Sequence, residues 1–316
     1  MKVYCIITTV AFCQLSCPFC RAGNALRKEY DFVKRGKMSA ETLTNIMDKV
    51  PFTKCNYHNW GEPLLHPNIV EFVEEGKRRN KMIELHTNMQ KMTPETAEGF
   101  VKAKIDIISV SCDGTTQEVY EKYRVGGNLE KVIKGAELLA HFKKKHNSKF
   151  PHIRWQMVVN KHNQHQADEF KRFALSHGAN TAVCADMYSQ TPEGWFKIKE
   201  YATTDKRWKA VKVIGTVTKC NEPNHRFAVD WNGDVYTCCN TVGIESYKMG
   251  NINEQSFEEI WHGDKYEYVR RFCKTGKPED NGFEIQCHAC FDKFPNDKMR
   301  NGDMWARCLA ARKNAE

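Results

Sequence analysis

Residues 10–23 read VAFCQLSCPFCRAG, with Cys13, Cys17 and Cys20 in C-x3-C-x2-C spacing and Phe19 directly before the last thiol. Three thiolates on one short loop can each hold one iron of a cubane cluster, leaving the fourth iron without a protein ligand and open to another molecule. The same thiols are also compatible with part of a zinc site, although structural zinc usually takes four ligands, commonly as paired C-x2-C knuckles. What flanks the loop bears on the choice.

Residues 3–9 are a β-rich run that enters the loop as a first strand. Ser39 predicts the N-cap of a helix with Leu43, Ile46, Met47 and Val50 on one face, closed by Pro51. A short strand is expected at 55–58, then a helix at 67–80 opened by Pro67, with Ile69, Phe72 and Val73 inward. The rhythm continues with a strand at 82–86, a helix at 93–103 and a β-branched strand at 105–111. The longest helical pattern, 129–146, precedes a strand at 153–159, a helix at 166–177 and a strand at 179–185. Such alternation predicts a parallel sheet with right-handed crossovers. Six units by residue 187 give an α/β fold, a partial (β/α)6 TIM-like barrel. In such folds the chemistry gathers in loops at the carboxyl ends of strands, and the cysteine loop follows the first strand.

With 316 residues, 41% hydrophobic and 28% charged, the composition is that of a soluble globular chain able to bury a full core. The formal charge is +9, but the cations run from Lys2 to Lys313 with acids among them. The densest run, Lys143-Lys144-Lys145-His146, ends a predicted helix, where cations complement the dipole and face water. No helix-turn-helix, zinc-finger or RNP pattern supports a nucleic-acid partner; charge alone is what favours a zinc-bound nucleic-acid-binding barrel. The fourteen cysteines come without a cleavable signal or any apolar stretch near the ~20 residues that span a bilayer. No membrane partner is expected. A cytoplasmic, reducing setting is, and there clustered cysteines mean metal or catalysis more often than disulfides.

The loop, including the aromatic Phe19, resembles the signature of radical S-adenosylmethionine (SAM) enzymes. The resemblance implies a [4Fe-4S] cluster on Cys13, Cys17 and Cys20, whose open iron is chelated by SAM and whose electron cleaves SAM to a 5′-deoxyadenosyl radical. It also implies a flavodoxin- or ferredoxin-type electron donor. Asn59-Trp60-Gly61-Glu62-Pro63 stands after the second strand, where the family carries a Gly-Gly-Glu-Pro motif that binds the SAM amino group; Trp60 replaces the first Gly. His86-Thr87-Asn88 resembles the Thr-Asn-Gly end of the third strand, with Met89 for Gly. Ser111-Cys112-Asp113-Gly114 matches the segment that contacts the SAM ribose or carboxylate, and Arg124 falls where relatives place an arginine near the carboxylate. Asp-Gly is also a common turn, and Arg124 on its own reads as a surface cation. The order of these segments after consecutive strands is what joins them.

A second cysteine group lies downstream. Residues 229–239, VDWNGDVYTCC, predict a β-hairpin with Asn-Gly at its turn, and Cys287-His288-Ala289-Cys290 is a knuckle. This resembles the SPASM/twitch extension that binds auxiliary iron-sulfur clusters. Residues 291–307 hold no cysteine, so a single auxiliary [4Fe-4S] cluster is expected, on Cys220, Cys238, Cys287 and Cys290, with Cys239 the alternative to Cys238 and Cys308 a remote candidate. A four-cysteine zinc ribbon is the competing reading. The expected domains are a barrel at 1–187, a connector at 188–219 and the auxiliary domain at 220–316.

The resemblance implies hydrogen abstraction from a small polar molecule such as an amino sugar or cyclitol, with net oxidation favoured because an auxiliary cluster can take the second electron. The chain starts at its first strand with no leader-binding module ahead of it, which is read as favouring a small molecule. Epimerisation or cross-linking of a peptide or sugar is the alternative. Arg154 and Gln156 alternate on the fifth strand, so both are expected to face the cavity and hold or deprotonate the substrate; as a strand end, Arg154 is equally a solvated cation. Cys184 ends the sixth strand, where facing the cavity would make it a hydrogen-atom donor and facing the core a small hydrophobe.

Overall fold

Ser39 does cap the first helix, its Oγ accepting the Thr42 N–H at 3.0 Å, and the alternation that follows is a run of parallel strand–helix units. The computed structural model describes residues 3–23, 33–189, 200–212, 219–277, 283, 285 and 287. Strands β1 (Val3–Ile7), β2 (Phe52–Tyr57), β3 (Met82–Thr87), β4 (Ile107–Ser111), β5 (His152–Val159) and β6 (Thr181–Ser189) alternate with α1 (Ala40–Lys49), α2 (Ile69–Arg78), α3 (Pro94–Lys102), α4 (Gln117–Tyr123), α5 (Leu129–Lys145) and α6 (Ala167–Ser176). Neighbouring strands pair parallel from β1 through β6. The short helix α4 is one the apolar period does not announce, with Tyr120 its buried residue.

Burial along β5 alternates strictly, and Ile153, Trp155, Met157 and Val159 enter the core against the helices. Cys5, Cys55, Leu85, Ile108 and Val110 share that layer with Leu43, Phe72, Phe100, Leu139 and Phe170 from the helices. A period of two then commits the opposite residues to the other face. That face is polar: Tyr4, Lys54, Asn56, Glu84, Ser109, Ser111, Arg154 and Gln156 occupy the alternate positions. A sheet with helices on one side and this face on the other is the wall of a barrel, and among the described residues it stays open.

The carboxyl-terminal part joins the same sheet. Strand β7 (Ala210–Lys212) pairs parallel with β6, inside the span expected to be an irregular connector, and β6 itself runs on to Ser189. At the opposite edge β8 (Arg226–Val229) pairs parallel with β1, and β9 (Asp234–Tyr236) returns antiparallel, followed by β10 (Gly250–Asn251). The expected Asn-Gly turn is present: Gly233 sits at φ +90°, and the Asp230 N–H donates to Asp234 O at 2.8 Å. Helices α7 (Phe257–Trp261) and α8 (Asp264–Thr275) pack over β8, with the Arg270 guanidinium 4.2 Å from the Trp261 ring centroid. No helix among the described residues is long and apolar enough to cross a membrane.

Candidate active site

The three signature cysteines lie in the loop after β1, at the carboxyl end of the sheet. The loop is closed on itself by hydrogen bonds from Cys13 N to Ala22 O at 3.0 Å and from Cys20 N to Cys17 O at 3.1 Å. Cys13 Sγ accepts the Asn88 side-chain amide at 3.3 Å and the Leu15 N–H at 3.5 Å, and Arg124 Nη1 lies 3.9 Å from Cys17 Sγ. Burial pushes the Cys13 thiol up, and pushes Cys17 up to about 11. Such thiols ionise when a metal displaces the proton, and N–H donors at sulfur then stabilise the thiolates. Among the described residues no three His, Cys, Asp or Glu side chains converge as a single bound ion requires. Three thiols on one closed loop, with N–H donors already aimed at Cys13 Sγ, fit a cluster whose irons take thiolates at separate points. Phe19 is buried against Tyr123 and Tyr201, edge to face at 5.8 and 5.2 Å.

The segments expected to hold SAM surround this loop. A Cβ on Gly61 would stand 1.6 Å from the Val10 carbonyl oxygen, so only glycine lets the segment after β2 lie on the cysteine loop. Glu62 N–H donates to Phe12 O at 3.0 Å, and Pro63 opens a single 3-10 turn. The Glu62 carboxylate accepts from Thr87 Oγ1 at 2.6 Å, Asn88 N at 2.8 Å and Leu64 N at 3.1 Å. Burial pushes its pKa up against those donors.

Asp113, completely buried, is engaged by the protein itself: its carboxylate accepts from Arg124 Nε and from Val158 N at 2.7 Å. Asp113 and Arg124 thus brace the end of β4 against β5 and the cysteine loop. Ser111 remains on the polar face beside Gln156.

Below this rim the polar face is built around Glu84. Its carboxylate meets Lys54 Nζ at 2.9 Å, His86 Nε2 at 2.9 Å, Ser109 Oγ at 3.3 Å and the Arg154 guanidinium. Burial opposes ionisation of Glu84, but the hydrogen bonds from His86 and Lys54 outweigh it and hold the carboxyl well below the usual range. His58 stacks near His86 with ring centroids 4.8 Å apart, and burial keeps its imidazole neutral, down to about 3. The side-chain atoms Asn56 Oδ1, His58 Nδ1 and Arg154 Nε are buried here with no protein partner. Arg154 thus faces the cavity but is charge-paired with Glu84. Glu84 and His58 are additions that sequence reasoning passes over; the signal for both is the parity of β2 and β3 relative to Asn56 and His86.

Cys184 lies elsewhere. It pairs in register with Met157 and its Sγ points to the Ala167 carbonyl at 3.8 Å, so strand parity turns it toward α6 and not toward the cavity. The expectation of a cavity-facing thiol is corrected accordingly.

In the second group, Cys220 and Cys287 pack on the patch formed by Tyr268, Val269, Phe272, Cys273 and Ile285. The carbonyl oxygen of Cys273, which reads in sequence as a plain core residue, accepts the Cys220 N–H at 3.5 Å, and the hydrogen bond between the two thiols together with burial pushes Cys220 up. Cys238 Sγ accepts Asn240 N at 3.5 Å and lies within electrostatic reach of Cys287. Cys239 instead packs with Trp60 against the layer of Ile6, Ala228 and Tyr236. Cys290 and Cys308 fall outside the described residues.

The family model of the Radical SAM superfamily matches residues 7–153, and that of the iron-sulfur cluster-binding SPASM domain matches residues 220–291. With the loop geometry above, the chain is an enzyme of the radical SAM superfamily. Its branch is the one that carries a carboxyl-terminal SPASM domain, so it binds a [4Fe-4S] cluster, SAM and an auxiliary iron-sulfur cluster. Among curated relatives, the tungsten-containing aldehyde ferredoxin oxidoreductase cofactor-modifying protein of Pyrococcus furiosus is 24% identical, over 86% of this chain and 84% of its own. Two solved structures share the fold. Streptococcus suis SuiB bound to precursor peptide SuiA has a TM-score of 0.63 at 15% identity, covering 92% of this chain and 70% of its own. BtrN in complex with AdoMet and 2-DOIA has 0.52 at 18%, covering 87% and 88%.

Proposed function

We propose that this radical SAM enzyme oxidises a small polar substrate, such as an amino sugar or cyclitol, at a carbon bearing a hydroxyl or amino group, in the cytoplasm. The observation that carries the reading is the Glu84 network: a polar face below the SAM segments with buried, unpartnered Asn56 Oδ1, His58 Nδ1 and Arg154 Nε. Unpaired buried polar atoms cost free energy unless a ligand completes them. When bound, the cluster and SAM supply the radical that removes the hydrogen atom. The chain's part is to orient the substrate hydroxyls on Asn56, His58 and Arg154 and to exclude water. His86, in contact with Glu84 at 2.9 Å, is the group that would take up the proton released as the hydroxyl becomes a carbonyl, because burial makes His58 resist protonation. Oxidation is favoured over epimerisation because Cys5, Cys55, Cys112 and Cys184 all lie on the helix side of the sheet, leaving no cavity thiol of the barrel strands, among the described residues, to return a hydrogen atom.

A peptide substrate is the second reading, supported by the open sheet and by the likeness to SuiB, which is seen with its precursor peptide. Anaerobic reconstitution and turnover of amino-cyclitols, amino sugars and Ser- or Cys-containing peptides in deuterated buffer test both. A two-hydrogen mass loss with one SAM consumed per turnover on a small molecule supports oxidation. Deuterium retained in an otherwise unchanged product overturns it in favour of epimerisation, and turnover of peptides alone overturns the small-molecule reading.

A further inference from the structure

Trp60, where the segment after β2 departs from the Gly-Gly-Glu-Pro pattern, touches both halves of the site. Its Nε1–H donates to the carbonyl oxygen of Cys239 at 2.8 Å. Its ring lies under the Arg21 guanidinium, with Cζ 4.2 Å from the centroid, and Arg21 follows Cys20 directly. Arg21 in turn donates to the Val242 carbonyl. Both carbonyls belong to the turn after β9, which is held by Thr241 N to Cys238 O at 3.2 Å and Ile244 N to Thr241 O at 3.1 Å. That turn carries Cys238. On its other side the indole is continuous with Gly61 and Glu62, which are seated on Val10 and Phe12 of the cysteine loop.

We infer that Trp60 is a positioning residue that couples the SAM-binding segment to the auxiliary cysteine turn. The segment has no slack, because Gly61 lies against Val10 without room for a Cβ. A displacement of residues 59–62 is therefore passed through the indole N–H to the Cys239 peptide, and through the stacked guanidinium to Val242. The peptide whose carbonyl takes the indole N–H also donates its own N–H, that of Asn240, to Cys238 Sγ at 3.5 Å. Coupling of this kind is reciprocal: SAM steadies the turn, and a well-held turn favours SAM.

The test uses the full chain, anaerobically reconstituted, with and without SAM, read by hydrogen-exchange mass spectrometry and by redox titration of the auxiliary cluster. Trp60→Phe keeps a ring against Arg21 and removes the N–H; Trp60 replaced by benzothienylalanine does the same with the bicyclic shape intact, covering the case where the first variant folds poorly. In the wild type, SAM slows exchange at residues 61–64 and at 238–244 together and moves the auxiliary midpoint potential. In both variants the protection at 61–64 persists, the protection at 238–244 and the shift in potential are lost, and basal exchange of the turn in the iron-free chain rises about fivefold, the ratio expected for one neutral hydrogen bond. Wild-type protection confined to 61–64, or variants in which SAM still protects 238–244, overturns the inference. Protection at 61–64 separately reports that SAM is bound.

Discussion

The carboxylate of Glu62 accepts the backbone N–H of Asn88 at 2.8 Å while the Asn88 side chain donates to Cys13 Sγ at 3.3 Å. The ends of β2 and β3 and the cysteine loop are therefore one hydrogen-bonded unit, and the position of each depends on the others. Burial pushes the Glu62 carboxyl up, and the Asn88, Thr87 and Leu64 donors oppose this, so the group is poised to be satisfied by a cation such as an amine.

Gly61 is where that unit is least able to give. In Gly61→Ala the added methyl meets the backbone of Val10 at 1.6 Å, and backbone has no rotamer with which to retreat. The loop and the segment must part, which separates Glu62 from the cluster cysteines. The variant is expected to keep its secondary structure by circular dichroism, to bind SAM at least tenfold more weakly by equilibrium dialysis of the reconstituted protein, and to lose reductive SAM cleavage in proportion, a loss of about 1.4 kcal/mol or more. Unchanged SAM affinity would show that the segment relaxes without consequence.

The radical SAM end of the molecule is legible in the sequence because its parts are local. Cys13, Cys17 and Cys20 share one loop, and Ser39 and Thr93 announce their helices through side chains that cap them within three residues. What is not legible depends on long-range register. Whether Cys184 faces the cavity is decided by its pairing with Met157, and one residue of slip reverses it. The pairing of β8 with β1 joins residues about two hundred positions apart, and Cys273 meets Cys220 only once α8 has docked. Asp113 and Arg124 read in sequence as SAM contacts; the ion pair between them, invisible without coordinates, adds a bracing role to that expectation.

Glu84 balances Lys54, Arg154 and His86 at the floor of the cavity. Removing its charge in Glu84→Gln leaves two cations facing one another, at a cost of roughly 2–3 kcal/mol, the low side for a broken buried pair because both cations keep partial access to water. Since the folded-state pKa is depressed, the contribution is present above the unfolded value of about 4.3 and is lost as pH falls through the folded value. Urea melts of the iron-free chain should therefore show wild type above the variant at neutral pH, with the gap closing on acidification below about pH 4. A gap independent of pH would mean that the carboxylate is not the source.

The adjacent thiols Cys238 and Cys239 meet each other but differ in what else surrounds them. Cys238 lies within electrostatic reach of Cys287, whereas Cys239, although its side chain meets that of Cys238, packs with Trp60, Ile6 and Ala228. Cys238→Ser is expected to remove the auxiliary cluster, about four irons per chain, while Cys239→Ser retains it with no more than a modest loss on reconstitution. Iron counting and electron paramagnetic resonance of the dithionite-reduced proteins decide this. Equal iron loss in both variants would mean that the two thiols exchange as ligands.

Asp230 gives the chain a pH dependence of opposite sign. It lies in the turn between β8 and β9, 4% exposed, with its carboxylate accepting Trp231 N at 2.9 Å. Burial pushes its pKa up to about 7, against the Trp231 hydrogen bond and the attraction of Arg21. An acid whose folded-state pKa exceeds its unfolded value of about 3.9 contributes stability below that value, and the contribution is lost as pH rises through about 7, at a slope approaching ~1.4 kcal/mol per pH unit. Asp230→Asn takes no part in this titration. Denaturant melts of the two iron-free chains between about pH 5 and pH 8 should show the variant gaining on wild type steadily as pH rises, most of the gain falling below pH 7. Parallel pH profiles for the two proteins would show that the Arg21 guanidinium already carries the Asp230 charge, and the group would then be an ordinary carboxylate at the hairpin turn.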